Sequence, residues 1–272
     1  RSYRIKIDQE DTWYHCYNRT AGACDELPFD DVDKQKFIRI LKRVSILYGV
    51  KVVAYTVMSN HYHLLVKAPK EMMSEEEVCW RYHQFHNGRK SISVGSEACT
   101  EWQMRTRDIS WFMRHLQQLY TTWFNGTRPG GRRGKLWADR FKHTILEEGQ
   151  AAWNCLKYIE KNAYEAGMVK HPGDYRFCSY GVWRQSGKHP CADNVEELVA
   201  PMLGCKDLQE LWNILDAAMT PEEPVEGAEP QAVPGQSIKG RVRYWVCGLV
   251  IGSEVFVRTV MAPHHQKAAT RR

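Results

Sequence analysis

Two imidazoles separated by one residue are the most chemically suggestive pair in this sequence: His61 and His63, within V-M-S-N-H-Y-H-L-L-V-K at 57–67. Alternate side chains of a strand point to opposite faces, so a strand here sets both histidines on one face and Tyr62, Leu64 and Val66 on the other. Such a pair can bite one metal ion. Taken alone, H-x-H is a weak signal, equally compatible with two structural histidines, and a third partner is needed.

The segment 147–166 supplies a candidate partner. Its apolar residues Ala152, Leu156, Ile159, Ala163 and Ala166 step by four and three, which predicts a helix with that stripe against the core and Gly167 as its stop. Tyr158 and Asn162 lie one turn apart on the flank of the stripe, facing an edge. A phenol there could act as a nucleophile, and an amide oxygen could join two imidazoles in holding a metal that polarises a phosphate. With thirteen tyrosines in the chain, spacing alone does not select Tyr158. The alternative is a buried, hydrogen-bonded helix tyrosine.

A second cluster is basic. R-P-G-G-R-R-G-K-L-W-A-D-R-F-K at 128–142 carries Arg128, Arg132, Arg133, Lys135, Arg140 and Lys142 against one acid, Asp139. A charge run of this kind can be no more than a solvated loop. The interleaved glycines and the rings of Trp137 and Phe141 favour a surface for single-stranded nucleic acid, cations for phosphates and flat rings for bases.

These groups need a scaffold. T-W-Y-H-C-Y-N-R at 12–19 reads as a first strand, D-D-V-D at 30–33 opens a helix with Phe37, Ile40, Leu41 and Val44 on one face, and 50–58 and 61–67 read as paired antiparallel strands. After a helical pattern at 73–82 and a loose stretch at 87–98, a long helix carries Ile109, Phe112, Leu116, Leu119 and Trp123 as a core stripe. The basic loop leads into a fourth strand at 136–146. Without the inserted helical material the order is β-α-β-β-α-β, an α+β ferredoxin-like antiparallel sheet with helices on one face.

The whole chain sets outer bounds. Its 272 residues suffice for a sizeable core, and nine cysteines without a C-x-x-C pair predict a reducing, cytoplasmic setting rather than a disulfide scaffold. No apolar run is long enough for a membrane span, and no leader pattern is present. The net charge of +6 is compatible with a polyanionic partner. We expect a catalytic domain over 1–188, with an insertion at about 70–126, and a helical and extended C-terminal module over 189–272, joined through a Pro/Glu-rich linker at about 221–236.

Four motifs in order resemble one family. M-S-N-H-Y-H-L-L-V is similar to the M-P-N-H-x-H-L-L of the REP-associated tyrosine transposases, single-tyrosine members of the HUH nuclease superfamily. L-W-A-D-R-F-K resembles their Gly-then-aromatic, R-F/Y-K strand, Y-I-E-K-N-A-Y-E-A-G-M-V their Y-x-x-x-N-P-V-x-A-G-L-V helix, and D-Y-R-F-C-S-Y their D-Y-P-W-S-S-Y. Ser59 stands where the family has proline, and Ala163-Tyr164 where it has Pro-Val.

The resemblance, which covers about residues 10–183, implies His61 and His63 as metal ligands, Asn162 as the third, Tyr158 as the nucleophile, and Mg²⁺ or Mn²⁺ as the ion. It implies single-stranded DNA beside a hairpin, REP-like or at transposon ends, as substrate, cut through a covalent 5′-phosphotyrosine in a bacterial-type, nucleoid-associated enzyme. Monomer and homodimer are both compatible with it. Two other readings stand beside this one: a domesticated hairpin-binding protein that does not cut, and an unrelated metal-dependent phosphoesterase without a covalent step.

Overall fold

The structure, a computed structural model, describes residues 11–23, 26–220, 245 and 249–269. The predicted linker at about 221–236, and residues 237–244 and 246–248 of the expected C-terminal module, lie outside the described residues. The elements run β1 (Thr12–Arg19), α1 (Asp31–Tyr48), β2 (Lys51–Val57), β3 (His61–Ala68), α2 (Glu75–Phe85), α3 (Glu97–Thr106), α4 (Ile109–Thr127), β4 (Lys142–Leu146) and α5 (Gln150–Glu165). Then follow α6 (Ser179–Ser186), α7 (Ala192–Leu203), α8 (Leu208–Met219), β5 (Val250–Ile251) and α9 (Glu254–Ala269).

The strand order is β2-β3-β1-β4-β5. The first four strands pair antiparallel, as expected of the α+β class, whereas β5 joins β4 in parallel, so the complete sheet is mixed. Helix α1 begins as its acidic start predicts. Asp30 caps the Asp33 backbone N–H at 2.8 Å while the Asp33 carboxylate accepts the Asp30 N–H at 3.0 Å, satisfying two donors that the first turn cannot pair itself. Its stripe of Phe37, Ile40, Leu41 and Val44 is buried.

The two crossover helices pack on one face. Phe37 of α1 and Tyr120 of α4 meet with ring centroids 5.2 Å apart, and Phe37 lies 4.6 Å from Tyr62 of β3. Expecting every helix on that face does not extend to α5. Its Tyr158 ring meets His63, whose side chain leaves β3 opposite to Tyr62. Helix α5 follows the completed β-α-β-β-α-β unit and covers the face that its crossovers leave bare.

Two expected boundaries shift for local reasons. The single long helix expected after residue 98 is interrupted, because Asp108 turns its carboxylate to the Ser110 N–H at 2.7 Å and starts α4 afresh. The expected strand 136–146 is regular only from Lys142. Upstream, the Asn18 amide donates to the Asp139 carbonyl at 3.0 Å and the Asp139 carboxylate accepts the Arg140 N–H at 2.7 Å, which interrupts the ladder before backbone pairing resumes from the Ala138 N–H to the Arg19 carbonyl at 3.0 Å. Helices α7 and α8 contribute Val195, Val199, Leu211 and Leu215 to the same core as the sheet.

The orientation of α5 is fixed by a buried carboxyl. Glu160, 2 % exposed, contacts the Ser179 hydroxyl and accepts the Tyr180 N–H at 2.9 Å, while Ser179 Oγ accepts the Tyr55 N–H of β2 at 3.0 Å. Burial raises the Glu160 carboxyl from 4.5 to about 7, with the Ser179 and Tyr180 hydrogen bonds opposing. A raised folded-state value means that the folded chain holds this proton more tightly than the unfolded chain. The resulting stabilisation is full below pH 4.5 and is lost as pH rises through about 7, in total roughly 3 kcal/mol. Urea unfolding of wild type and Glu160→Gln should show a stability difference that falls across this window. A pH-independent difference would mean that the carboxyl has the same charge in both states.

Candidate functional site

Four of the candidate residues named from the sequence meet at one place. His61 and His63 leave the same face of β3, with ring centroids 5.2 Å apart and planes at 89°. Tyr158 presents its ring edge-to-face to His63, with centroids 5.3 Å apart. The Asn162 amide lies within hydrogen-bonding influence of both the His61 ring and the Tyr158 hydroxyl. The helix flank inferred for Tyr158 and Asn162 is therefore turned toward the histidine face of β3.

The register of β1 adds residues that spacing did not single out. Tyr17 sits opposite His63 on one side and Lys142 on the other, and Arg19 sits opposite His61. The Tyr17 ring lies 4.8 Å from that of His63. Two residues back, His15 joins the same face, its Nε2 2.8 Å from His63 Nδ1. Alternation in T-W-Y-H-C-Y-N-R puts His15 and Tyr17 on one face of their own strand, but only the pairing register brings that face beside the histidines.

Trp245 also arrives from far along the chain. Its carbonyl accepts from His15 Nδ1 at 2.9 Å and from the Thr144 hydroxyl at 3.0 Å. Its ring stacks on Tyr158 with centroids 5.5 Å apart and an interplanar angle of 22°. No local pattern could have found this neighbour.

The site is largely buried, with His61 partly exposed, and its electrostatics follow from that. His15 and His63 are each 1 % exposed, Tyr158 7 % and Asn162 9 %. Burial lowers the His61 pKa to about 4, with the Asn162 hydrogen bond opposing and the Arg19 charge adding to the fall. Burial, followed by the positive forms of His15 and His61, holds His63 well below its ordinary value. Both rings are thus neutral near pH 7, each with one nitrogen lone pair to offer. His61 Nδ1 lies 2.7 Å from the Asn60 side-chain oxygen.

Tyr158 is in the opposite condition. Burial, then the neighbouring Cys155, Glu165 and Tyr17, push its hydroxyl above the ordinary phenol value, against a smaller opposing effect from Asn162. Its Oη is buried and completes no hydrogen bond with the described residues. A buried hydroxyl in that state is costly, and it is a weak nucleophile until a positive charge comes near.

Among the described residues, no group of three or more His, Cys, Asp or Glu is disposed to hold a metal ion. The available donors are two neutral imidazoles and an amide oxygen, beside a phenol oxygen without a partner. Such a set suits a transition ion that accepts nitrogen, Zn²⁺ included, better than Mg²⁺, so the choice of Mg²⁺ or Mn²⁺ comes from the motif resemblance and not from these donors.

The basic segment divides. Arg128 pairs with the buried Asp33 carboxylate at 2.5 Å and lies over the Phe124 ring, while Arg132 donates to the Asn125 side chain at 2.9 Å and the Lys135 carbonyl at 2.8 Å. Arg128 ties the loop to α1, and Arg132 holds the loop's own shape. Arg133, Lys135, Arg140 and Lys142 are exposed and form no ion pair with the described residues. Trp137 is only half-buried, yet its ring is committed to an aromatic cluster, 5.4 Å from Tyr62, 5.8 Å from Tyr120 and 6.0 Å from Phe29. That ring packs into the core and does not stand free as a platform for bases.

No family model and no curated protein matches the chain. Among solved structures, it is similar to a REP-associated tyrosine transposase bound to a REP hairpin, with a TM-score of 0.46 and 15 % identity over 70 % of this chain and 89 % of that one. Overlap and identity at this level do not assign the chain to a family. No described helix is long and apolar enough to cross a membrane.

Proposed function

We propose that this chain is a metal-dependent single-stranded DNA endonuclease and strand transferase that acts beside DNA hairpins through a covalent 5′-phosphotyrosine on Tyr158. The observation that carries the reading is the meeting of His61, His63 and Asn162 around a buried Tyr158 hydroxyl that no described group satisfies. The motif resemblance supplies the hairpin and the single strand.

In this reading the two imidazoles and the Asn162 amide oxygen hold Mn²⁺ or Mg²⁺. An ion held there would supply positive charge to a phosphate and to the nearby phenol of Tyr158. Lys142 and Arg19, in the same cross-strand rows as His63 and His61, supply positive charge where the strand must pass. The Tyr158 oxygen bonds to phosphorus, the 3′-oxygen leaves with its electron pair and takes up a proton, and the phenolic proton passes to solvent. Attack by a 3′-hydroxyl on the phosphotyrosine reverses these steps, so ends can be resealed or exchanged.

The stacked Trp245 ring favours one other reading, a protein that binds hairpin DNA without cutting it, because the ring covers one side of the nucleophile. Incubation with a labelled hairpin carrying a single-stranded flank, in Mn²⁺ or Mg²⁺, distinguishes them. An SDS-resistant protein–DNA adduct whose nucleotide maps to Tyr158 is the expected result. Binding without an adduct would leave the non-cutting reading, and cleavage without an adduct would point to a phosphoesterase.

The basic segment should divide in function as it does in structure. Replacing Arg133 and Lys142 by alanine should weaken DNA binding and reduce the salt slope by about 0.7 for each single-strand phosphate that is no longer neutralised, with little change in stability. Arg128→Ala should instead destabilise the fold by about 2 kcal/mol, because it strands the buried Asp33 carboxylate. Fluorescence anisotropy across a salt series and urea unfolding read the two effects separately.

A further inference from the structure

We infer that His15 is a positioning residue: with the Trp245 carbonyl, it fixes the tautomer of His63 so that the Nε2 lone pair of His63, rather than Nδ1, is the one it can offer. The argument needs only donors and acceptors. A carbonyl oxygen accepts and cannot donate, so the 2.9 Å contact from His15 Nδ1 to the Trp245 carbonyl requires the proton on Nδ1. A neutral His15 then has its lone pair on Nε2. That nitrogen lies 2.8 Å from His63 Nδ1, so His63 must be the donor and must carry its own proton on Nδ1. Its lone pair is left on Nε2.

The geometry agrees with a hydrogen bond between the rings. The His15 and His63 planes are 8° from parallel with centroids 5.0 Å apart, a separation expected when two imidazoles meet nitrogen to nitrogen in one plane. Both rings are almost completely buried, so water does not compete for these nitrogens. The carbonyl end is anchored as well, since the Trp245 oxygen also accepts the Thr144 hydroxyl at 3.0 Å, and Thr144 sits directly opposite His15 in the sheet. One outer partner thereby sets two rings in series, as outer-shell groups do for metal-ligating histidines.

The tautomer itself stands apart from the proposed function; its consequence for a bound cation rests on that reading. Without the acceptor at His15, His63 would divide between tautomers and its Nε2 lone pair would be present only part of the time. Loss of such an outer partner typically weakens metal affinity 10–100-fold.

Two-bond ¹H–¹⁵N spectra of the metal-free protein at pH 7, labelled on histidine nitrogens, read the tautomers directly. His15 and His63 should both show the Nδ1–H form. A His63 signal of the Nε2–H form in the wild type would overturn the inference whatever the variants do. In His15→Leu the His63 signal should shift toward a mixture and Mn²⁺ affinity by calorimetry should fall 10–100-fold, whereas His15→Gln, whose amide oxygen can still accept, should recover both. Unchanged tautomer and affinity in a folded His15→Leu would also overturn it. A wild-type protein with the expected tautomers that binds no Mn²⁺ would count against the proposed function and leave the role of His15 intact.

Discussion

Tyr158→Phe should form no covalent DNA adduct, a loss of more than about a thousand-fold, while the protein becomes no less stable than wild type. The two halves of this result come from one atom. The Tyr158 oxygen is the proposed nucleophile, and phenylalanine keeps the ring that stacks on Trp245 and meets His63 while removing only that oxygen. The hydroxyl completes no hydrogen bond with the described residues and feels only the nearby Asn162 side chain, so its removal costs little and relieves the burial of a poorly paired polar group. We expect unfolding free energy to stay level or to rise by up to about 1 kcal/mol. A fall of that size in urea would mean that the hydroxyl is satisfied in the folded protein. An adduct that persists in Tyr158→Phe would exclude this tyrosine as the nucleophile.

Trp137→Ala should cost about 3 kcal/mol of stability, the usual range for emptying a packed aromatic site. From sequence, Trp137 is a base-stacking candidate because it interrupts a basic run. In the structure its ring meets Phe37, Tyr62 and Tyr120, the rings through which α1, β3 and α4 pack together, and Phe29 just ahead of α1. The variant should therefore lower the unfolding midpoint sharply. Measured well below that midpoint, its affinity for single-stranded DNA should match wild type. Trp137→Phe, which keeps an aromatic ring in the cluster, should regain much of the stability. Weaker DNA binding by a stable Trp137→Phe would restore the stacking role.

The difference between Tyr158 and Trp137 shows how far local pattern reaches. Tyr158 and Asn162 sit one turn apart on a helix flank because 3.6 residues per turn allow nothing else, and His61 and His63 share a face because strands alternate. Trp137 has no comparable rule. Its neighbours in sequence are basic and exposed, and whether such a ring turns outward or inward depends on an opening between α1, α4 and β3 that no local spacing describes. Arg128 and Arg132 are alike in this respect, since a run of cations does not reveal which of them have partners 95 residues away or seven.

By itself, then, the sequence determined the α+β class, the order of the first four strands along the chain, the face of β3 that bears His61 and His63, and the helix flank that bears Tyr158 and Asn162. These are consequences of short-range periodicity and capping, in which a side chain's direction depends on its own element alone. Tertiary structure decided that α5 covers the face opposite the crossover helices, that β1 lies between β3 and β4 so that His15 reaches His63, and that Trp245 comes from more than two hundred residues away to accept from His15. Those outcomes depend on strand register and on which apolar surfaces remain to be covered once the sheet has formed. Both are set by long-range packing and hydrogen-bond satisfaction across the whole chain.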